Sequence, residues 1–293
     1  MKNMNKNLNV TREVFQASIK KYLELRKNIP ERSFRSYSLI ICNNFFSRFL
    51  ERSNHCTICI EEASTELFTF LASWGMLRGS STLLQRSPYV FNETIKIIYN
   101  YKELKDIDID RYDINKEIIK DAYDKIYESL QKDSIESPTY TLISKIMLGC
   151  YGSIPAFDIN MKEVLEFSTI KDGNAFVNEL NKIQDFYESN FDFFKNENWN
   201  NYKKARIFDM FAFVRGCELF TWEKLIKELN KGKIKLSEFL DRLTNVIDKK
   251  KEADIQILIN DNKIKFEIMS NINEGLDVFK EIIKSKINNN GNE

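Results

Sequence analysis

Histidine is almost missing from this 293-residue sequence, in which His55 stands alone. A serine–histidine–aspartate triad, a histidine-rich zinc site or an HExxH motif would each rest on that one residue, so none is expected. Nine glycines and four prolines are too few for a turn-dense all-β sandwich or barrel. No apolar run approaches the roughly 18 to 20 residues of a membrane span. The opening MKNMNKNLNV is rich in Asn and Lys and has no apolar stretch, so no signal peptide is expected. Neither G-x-x-x-x-G-K-[ST] nor G-x-G-x-x-G occurs, which leaves the common ATP and NAD chemistries unsupported. The expectation is a protein without cofactor or metal.

What is present is ordinary globular material, 43% hydrophobic and 30% charged, with 22 Phe and 12 Tyr for a bulky core. The net charge of +1 hides an asymmetry. Residues 1–60 carry 11 Lys and Arg against 4 acids, and residues 101–198 carry 12 against 20. A basic end beside an acidic middle suits an anionic partner that touches part of the surface. The plainer reading is a set of solvated helical faces. The five cysteines, Cys42, Cys56, Cys59, Cys150 and Cys217, are odd in number and scattered. They fit a reducing cytoplasm better than a disulfide framework.

Apolar periodicity predicts helices over 11–28, 34–52 and 58–78. Thr11 is the N-cap of the first, Glu13 lies in its first turn, and Gly79 is the C-cap of the third. The third is apolar nearly all round, which predicts a central position. Further helices are expected after Pro88, near 114–131, over 140–150, after Asp158, and over 174–196 and 203–219. Beyond residue 220, two more helices lead to IQILINDNKIKFEIM, whose alternation around Asp261-Asn262 predicts a β-hairpin, and a last helix covers 274–287. The expected architecture is an all-α, helix-hairpin-helix-like body over 1–219. A small C-terminal α+β region over 220–293 contains the hairpin.

Four stretches invite a chemical reading. Cys56 and Cys59 form a C-x-x-C, but the other cysteines have no matching spacing and the pair opens a helix, so structural thiols are expected. Asp254, Asp261 and Glu267 on the hairpin suggest a nuclease, yet Met269 stands where such a site wants a lysine. Trp74-Gly75-Met76-Leu77-Arg78-Gly79-Ser80-Ser81-Thr82 places glycines, an arginine and hydroxyls where a buried helix ends. Free amides and Arg78 suit an anion there, and a C-cap followed by a serine N-cap is the plainer account. Gly149-Cys150-Tyr151-Gly152-Ser153-Ile154-Pro155-Ala156-Phe157-Asp158 reads as helix, glycine hairpin, helix. Its amides suit a phosphate, with a carboxylate close behind. The plainer account is a tight turn with Asp158 as N-cap.

These stretches, together with Phe208-Asp209-Met210-Phe211-Ala212-Phe213-Val214-Arg215-Gly216, resemble a group of uncharacterised bacterial all-helical proteins. More distantly, the layout over about 60–219 resembles the helix-hairpin-helix DNA glycosylases. Here the glycines are three apart rather than two, and Asp158 lies closer to them than the aspartate of that family does. The resemblance implies excision of a modified or damaged base from double-stranded DNA, in repair or phage defence. It implies Asp158 or Asp172 as the catalytic carboxylate, stabilising the cationic sugar or acting as general base on the water, and Trp74, Tyr151 and Phe157 as pocket walls. It also implies Arg78, Ser80, Ser81, Gly149, Gly152 and Ser153 as nucleic-acid contacts. The competing expectation is a nonenzymatic helical module that binds nucleic acid or a protein.

Overall fold

A computed structural model of the chain describes residues 8, 10–27, 35–53, 57–78, 81, 83–133, 135, 137–196, 199, 201–230, 256–260 and 263–267. It describes backbone alone at 25–27, 35, 36 and from 218 onward. The chain divides into two compact units, Met1–Cys217 and Glu218–Glu293.

The described residues of the first unit are all-helical. Its helices are α1 (Arg12–Lys27), α2 (Arg35–Glu51), α3 (Thr57–Ser73), α4 (Asn92–Asn100), α5 (Lys116–Lys132), α6 (Tyr140–Tyr151), α7 (Ile159–Leu165), α8 (Gly173–Ser189) and the part up to Cys217 of α9, which runs from Lys204 to Asn230. The acidic linker after α4 folds into two short 3-10 turns, Lys102–Asp106 and Ile109–Arg111. The helix expected to stop near 219 therefore continues, and the segment from Thr221 extends α9 rather than starting a new helix.

The central helix is α6, not α3. Every residue from Leu142 to Tyr151 is buried, and α6 packs against α2, α3 and α5. In contrast, α3 leaves Ile58, Thr65 and Thr69 exposed. Its buried residues are Ala63, Ser64, Leu67, Phe70 and Leu71. Burying all sides of a helix demands small residues at close contacts, and α6 has one. A Cβ on Gly149 would stand 2.7 Å from the Phe70 ring and 3.3 Å from Cys42 Sγ. Gly149 is thus a packing residue inside α6.

A second aromatic core joins α1, α8 and α9. The Phe15 ring lies 4.8 Å from both Phe194 and Phe211, and Phe186 stacks on Phe211 at 6.0 Å. Side chains from distant segments also start helices. Asp108 accepts from Ile109 N–H in its own 3-10 turn and from Lys204 and Ala205 N–H at the start of α9, each at 2.9 Å. Such a carboxylate satisfies orphan donors and complements the helix dipole. Gly216 allows α9 to touch α7 backbone to backbone, because any Cβ there would overlap Asn160.

In the second unit, Gln256–Asn260 and Lys263–Glu267 pair antiparallel, with Ile259 opposite Ile264. The helices expected over the rest of 231–293 lie outside the described residues. Among the described residues, no helix is long and apolar enough to cross a membrane.

Candidate functional site

The two turns singled out in the sequence end their helices in different surroundings. α3 stops at Ser73, five residues before the expected end, because Gly75 takes the left-handed conformation (φ +74°). Gly75 N–H bonds Ala72 C=O at 3.1 Å and Met76 N–H bonds Leu71 C=O at 2.9 Å. Both bonds together form a Schellman ending, so Gly75 does the work expected of Gly79. The turn leaves Trp74 6% exposed, with its C=O accepting from Lys145 Nζ at 2.9 Å.

α6 ends on Gly152, also left-handed (φ +66°), whose N–H bonds Leu148 C=O at 2.9 Å. Asn43 of α2 donates to Leu148 and Gly149 C=O at 2.8 and 2.6 Å. Ser153 is fully buried; its hydroxyl donates to Leu104 C=O and its own C=O accepts from Tyr112, both at 2.7 Å. Gly149 and Ser153 are therefore buried, and half-buried Gly152 has its N–H already bonded to Leu148 C=O, so the turn is not laid open to a phosphate. The expected hairpin is corrected to a capped helix end, because α2 and the acidic linker cover it. Tyr151 and Phe157 are corrected with it. Tyr151 is core and donates to Ile98 C=O at 3.0 Å. Phe157 packs on Phe167 and Phe176 with no exposure.

A cleft does form, one step further along. Tyr22 of α1, Trp74, Ala156, Asp158, Met161 of α7, and Arg206, Asp209, Ala212 and Phe213 of α9 line it. Its cavity volume is about 10 Å³, room for about one water. Arg206 and Asp209 sit one turn apart on α9 and pair there, nearly buried. Arg206 also donates to Tyr22 Oη at 2.6 Å, and its guanidinium lies 5.2 Å from the Tyr22 ring and 5.8 Å from the Trp74 ring. Burial works against the Arg206 charge, but the Tyr22 and Asp209 contacts outweigh it and hold the guanidinium above its usual value. Burial pushes the Asp209 carboxyl up; Arg206 opposes the shift and the Asp158 carboxylate adds to it.

Asp158 is the half-buried N-cap of α7. Its Oδ1 accepts from Asn160 and Met161 N–H at 3.0 and 3.2 Å. Both cap bonds use that one oxygen, and Oδ2 has no hydrogen bond among the described residues. Asp172 caps α8 through Ala175 N–H at 2.8 Å, is exposed, and does not line the cleft. Arg78 is exposed as well. Ser81 accepts from Leu83 N–H at 3.1 Å. Ser80, Thr82, His55, Cys56, Asp254 and Asp261 lie outside the described residues, as does the side chain of Glu267.

Of the expected site residues, the structure brings Trp74 and Asp158 together and adds three to which the sequence reading gave no site role: Tyr22, Arg206, and Asp209 of the Phe208–Gly216 stretch. The R-x-x-D spacing of Arg206 and Asp209 puts both on one helical face, and that was a usable signal. Tyr22 had none. Among the described residues, no three His, Cys, Asp or Glu side chains gather to hold a metal ion. No protein-family model, curated protein or solved structure matches the chain.

Proposed function

We propose that the helical body hydrolyses the bond between sugar and base in DNA, with Asp158 as the acting carboxylate. The observation that carries the reading is the position of Asp158: one oxygen caps α7 while the carboxyl lines a cleft walled by Trp74, Tyr22 and Phe213. The chemistry needs neither metal nor histidine. Asp158 takes a proton from a water, whose oxygen bonds to the sugar's anomeric carbon. The carbon–nitrogen bond to the base breaks, and the base leaves with that electron pair and then gains a proton. The negative charge also stabilises the cationic sugar on the way. The cleft matches the attacking water in size. A base flipped from the stack therefore enters only when the cleft widens. Backbone contact by Gly149, Gly152 and Ser153 is not part of this proposal, since Gly149 and Ser153 are buried and the Gly152 N–H is already bonded. The basic residues of 1–60 and exposed Arg78 supply attraction to phosphate. The cytoplasm is the compartment proposed, and the buried free thiols of Cys42 and Cys150 support it. The α+β character of 220–293 as a region belongs to the same proposal.

The test is base release from duplex DNA by purified protein. The panel holds normal, uracil-containing, alkylated, oxidised, hydroxymethylated and glucosylated bases. Asp158→Asn should abolish release and leave DNA binding nearly intact. Full activity in that variant would sink the assignment. The second reading, a nonenzymatic binding module, is favoured by one specific observation: the turn amides and Asp158 Oδ1 are already spent inside the protein. It predicts salt-sensitive binding weakened by Arg78→Ala, and no base loss on any substrate.

A further inference from the structure

The backbone just before Asp158 is held by side chains from two other helices. Ala156 N–H donates to Asp209 Oδ1 of α9 at 3.1 Å. Phe157 N–H donates to Ser144 Oγ of α6 at 2.8 Å, and Phe157 C=O accepts from Thr141 Oγ1 of α6 at 3.0 Å. Ala156, Phe157 and Ser144 are all buried. Pro155 restricts the chain immediately upstream. Helix capping needs no such clamp, since the cap bonds run from the Asp158 side chain to N–H groups of its own helix. Asp209 is itself fixed by Arg206, and Arg206 by Tyr22.

We propose that Asp209 and Ser144 are positioning residues that clamp Ala156 and Phe157 and so aim the Asp158 carboxylate into the cleft. This rests on the base-release reading only for its catalytic consequence. The positioning itself has a separate signature. If Asp209 aims Asp158, loss of Asp209 must disturb the amides that Asp158 caps, Asn160 and Met161, neither of which touches Asp209 in the hydrogen-bond pattern.

The experiment compares the full chain with Asp209→Ala, Asp209→Asn and Ser144→Ala, by amide hydrogen exchange and by base release over a range of DNA concentrations up to saturation, per folded molecule. Asn keeps the oxygen that receives Ala156 N–H; Ser144→Ala lies outside the ion pair and covers the case in which Asp209→Ala does not fold. In Asp209→Ala and Ser144→Ala, Asn160 and Met161 should exchange about tenfold faster while the amides of α5 are unchanged. Turnover should fall about tenfold or more with KM within about twofold, and Asp209→Asn should restore most of it. Unchanged exchange at Asn160 and Met161 overturns the proposal. Faster exchange that extends equally to α5, or a loss confined to KM, also overturns it. A wild-type protein that releases no base defeats the proposed function, while the exchange comparison still decides the positioning.

Discussion

The turns at Trp74–Gly75 and Tyr151–Gly152 use one device in two settings. Each ends a helix with an aromatic residue followed by a left-handed glycine. Around Gly75 there is open space, and a Cβ there would meet nothing within 4 Å. At Gly152 a Cβ would meet Asn43 Oδ1 at 3.2 Å. The first turn lets Trp74 face a cleft, and the second is sealed by Asn43, Tyr112 and Leu104. The difference shows that an aromatic–glycine turn is only a way of stopping a helix. Whether its amides are available to a ligand depends on what other segments lay over it.

The largest expected effect lies at the open turn's cleft. Arg206→Met leaves Asp209 buried without its partner, and breaking such a pair costs about 3 to 5 kcal/mol. The loss should depend on pH. Asp209 has a raised carboxyl in the folded protein, so the folded state binds the extra proton and its stability falls as pH rises from the ordinary aspartate range through the raised value. Without Arg206 the value rises further. Denaturation midpoints of variant and wild type should therefore converge on acidification, and a gap independent of pH would refute the account.

At the sealed turn, Asn43→Ala leaves the carbonyls of Leu148 and Gly149 without their side-chain donor, a loss of about 1 to 3 kcal/mol in urea unfolding. Gly149→Ala, which presses a methyl against Phe70, should cost a similar or slightly smaller amount, about 1 to 3 kcal/mol by the usual overpacking scale. The sharpest comparison is the smallest. Gly152→Ala and Gly75→Ala share the left-handed penalty of about 1 to 2 kcal/mol, and only Gly152→Ala adds the Asn43 contact. Melting temperatures should fall in both and further in Gly152→Ala; equal shifts would mean that the seal does not bear on that glycine.

The helical body was legible because it is local. Apolar spacing located α1, α2, α4, α5, α6 and the starts of α8 and α9 within a few residues, while α8 ends at Ser189, seven residues before its expected end, and Thr11 stands just before α1 with its hydroxyl accepting from Val14 N–H. The α3 ending was misplaced because two glycines, Gly75 and Gly79, offer the same backbone freedom and sequence does not rank them. The site was legible only in part. Asp158 and Trp74 announced themselves beside glycines, whereas Tyr22, Arg206 and Asp209 look like any residues of an amphipathic helix until α1 and α9 meet. Gly149 and Ser153 misled for the opposite reason: small residues near a helix end serve a phosphate or a close packing contact equally well.

By itself the sequence determined the helical class of the main body and the approximate positions of most of its helices. These follow from composition and from interactions within a few residues. Only the tertiary structure decided which turn was roofed over, which helix became central, and which carboxylates share a cleft. Those outcomes depend on contacts between segments as distant as Tyr22 and Arg206, and no local pattern encodes the partner of a contact that far along the chain.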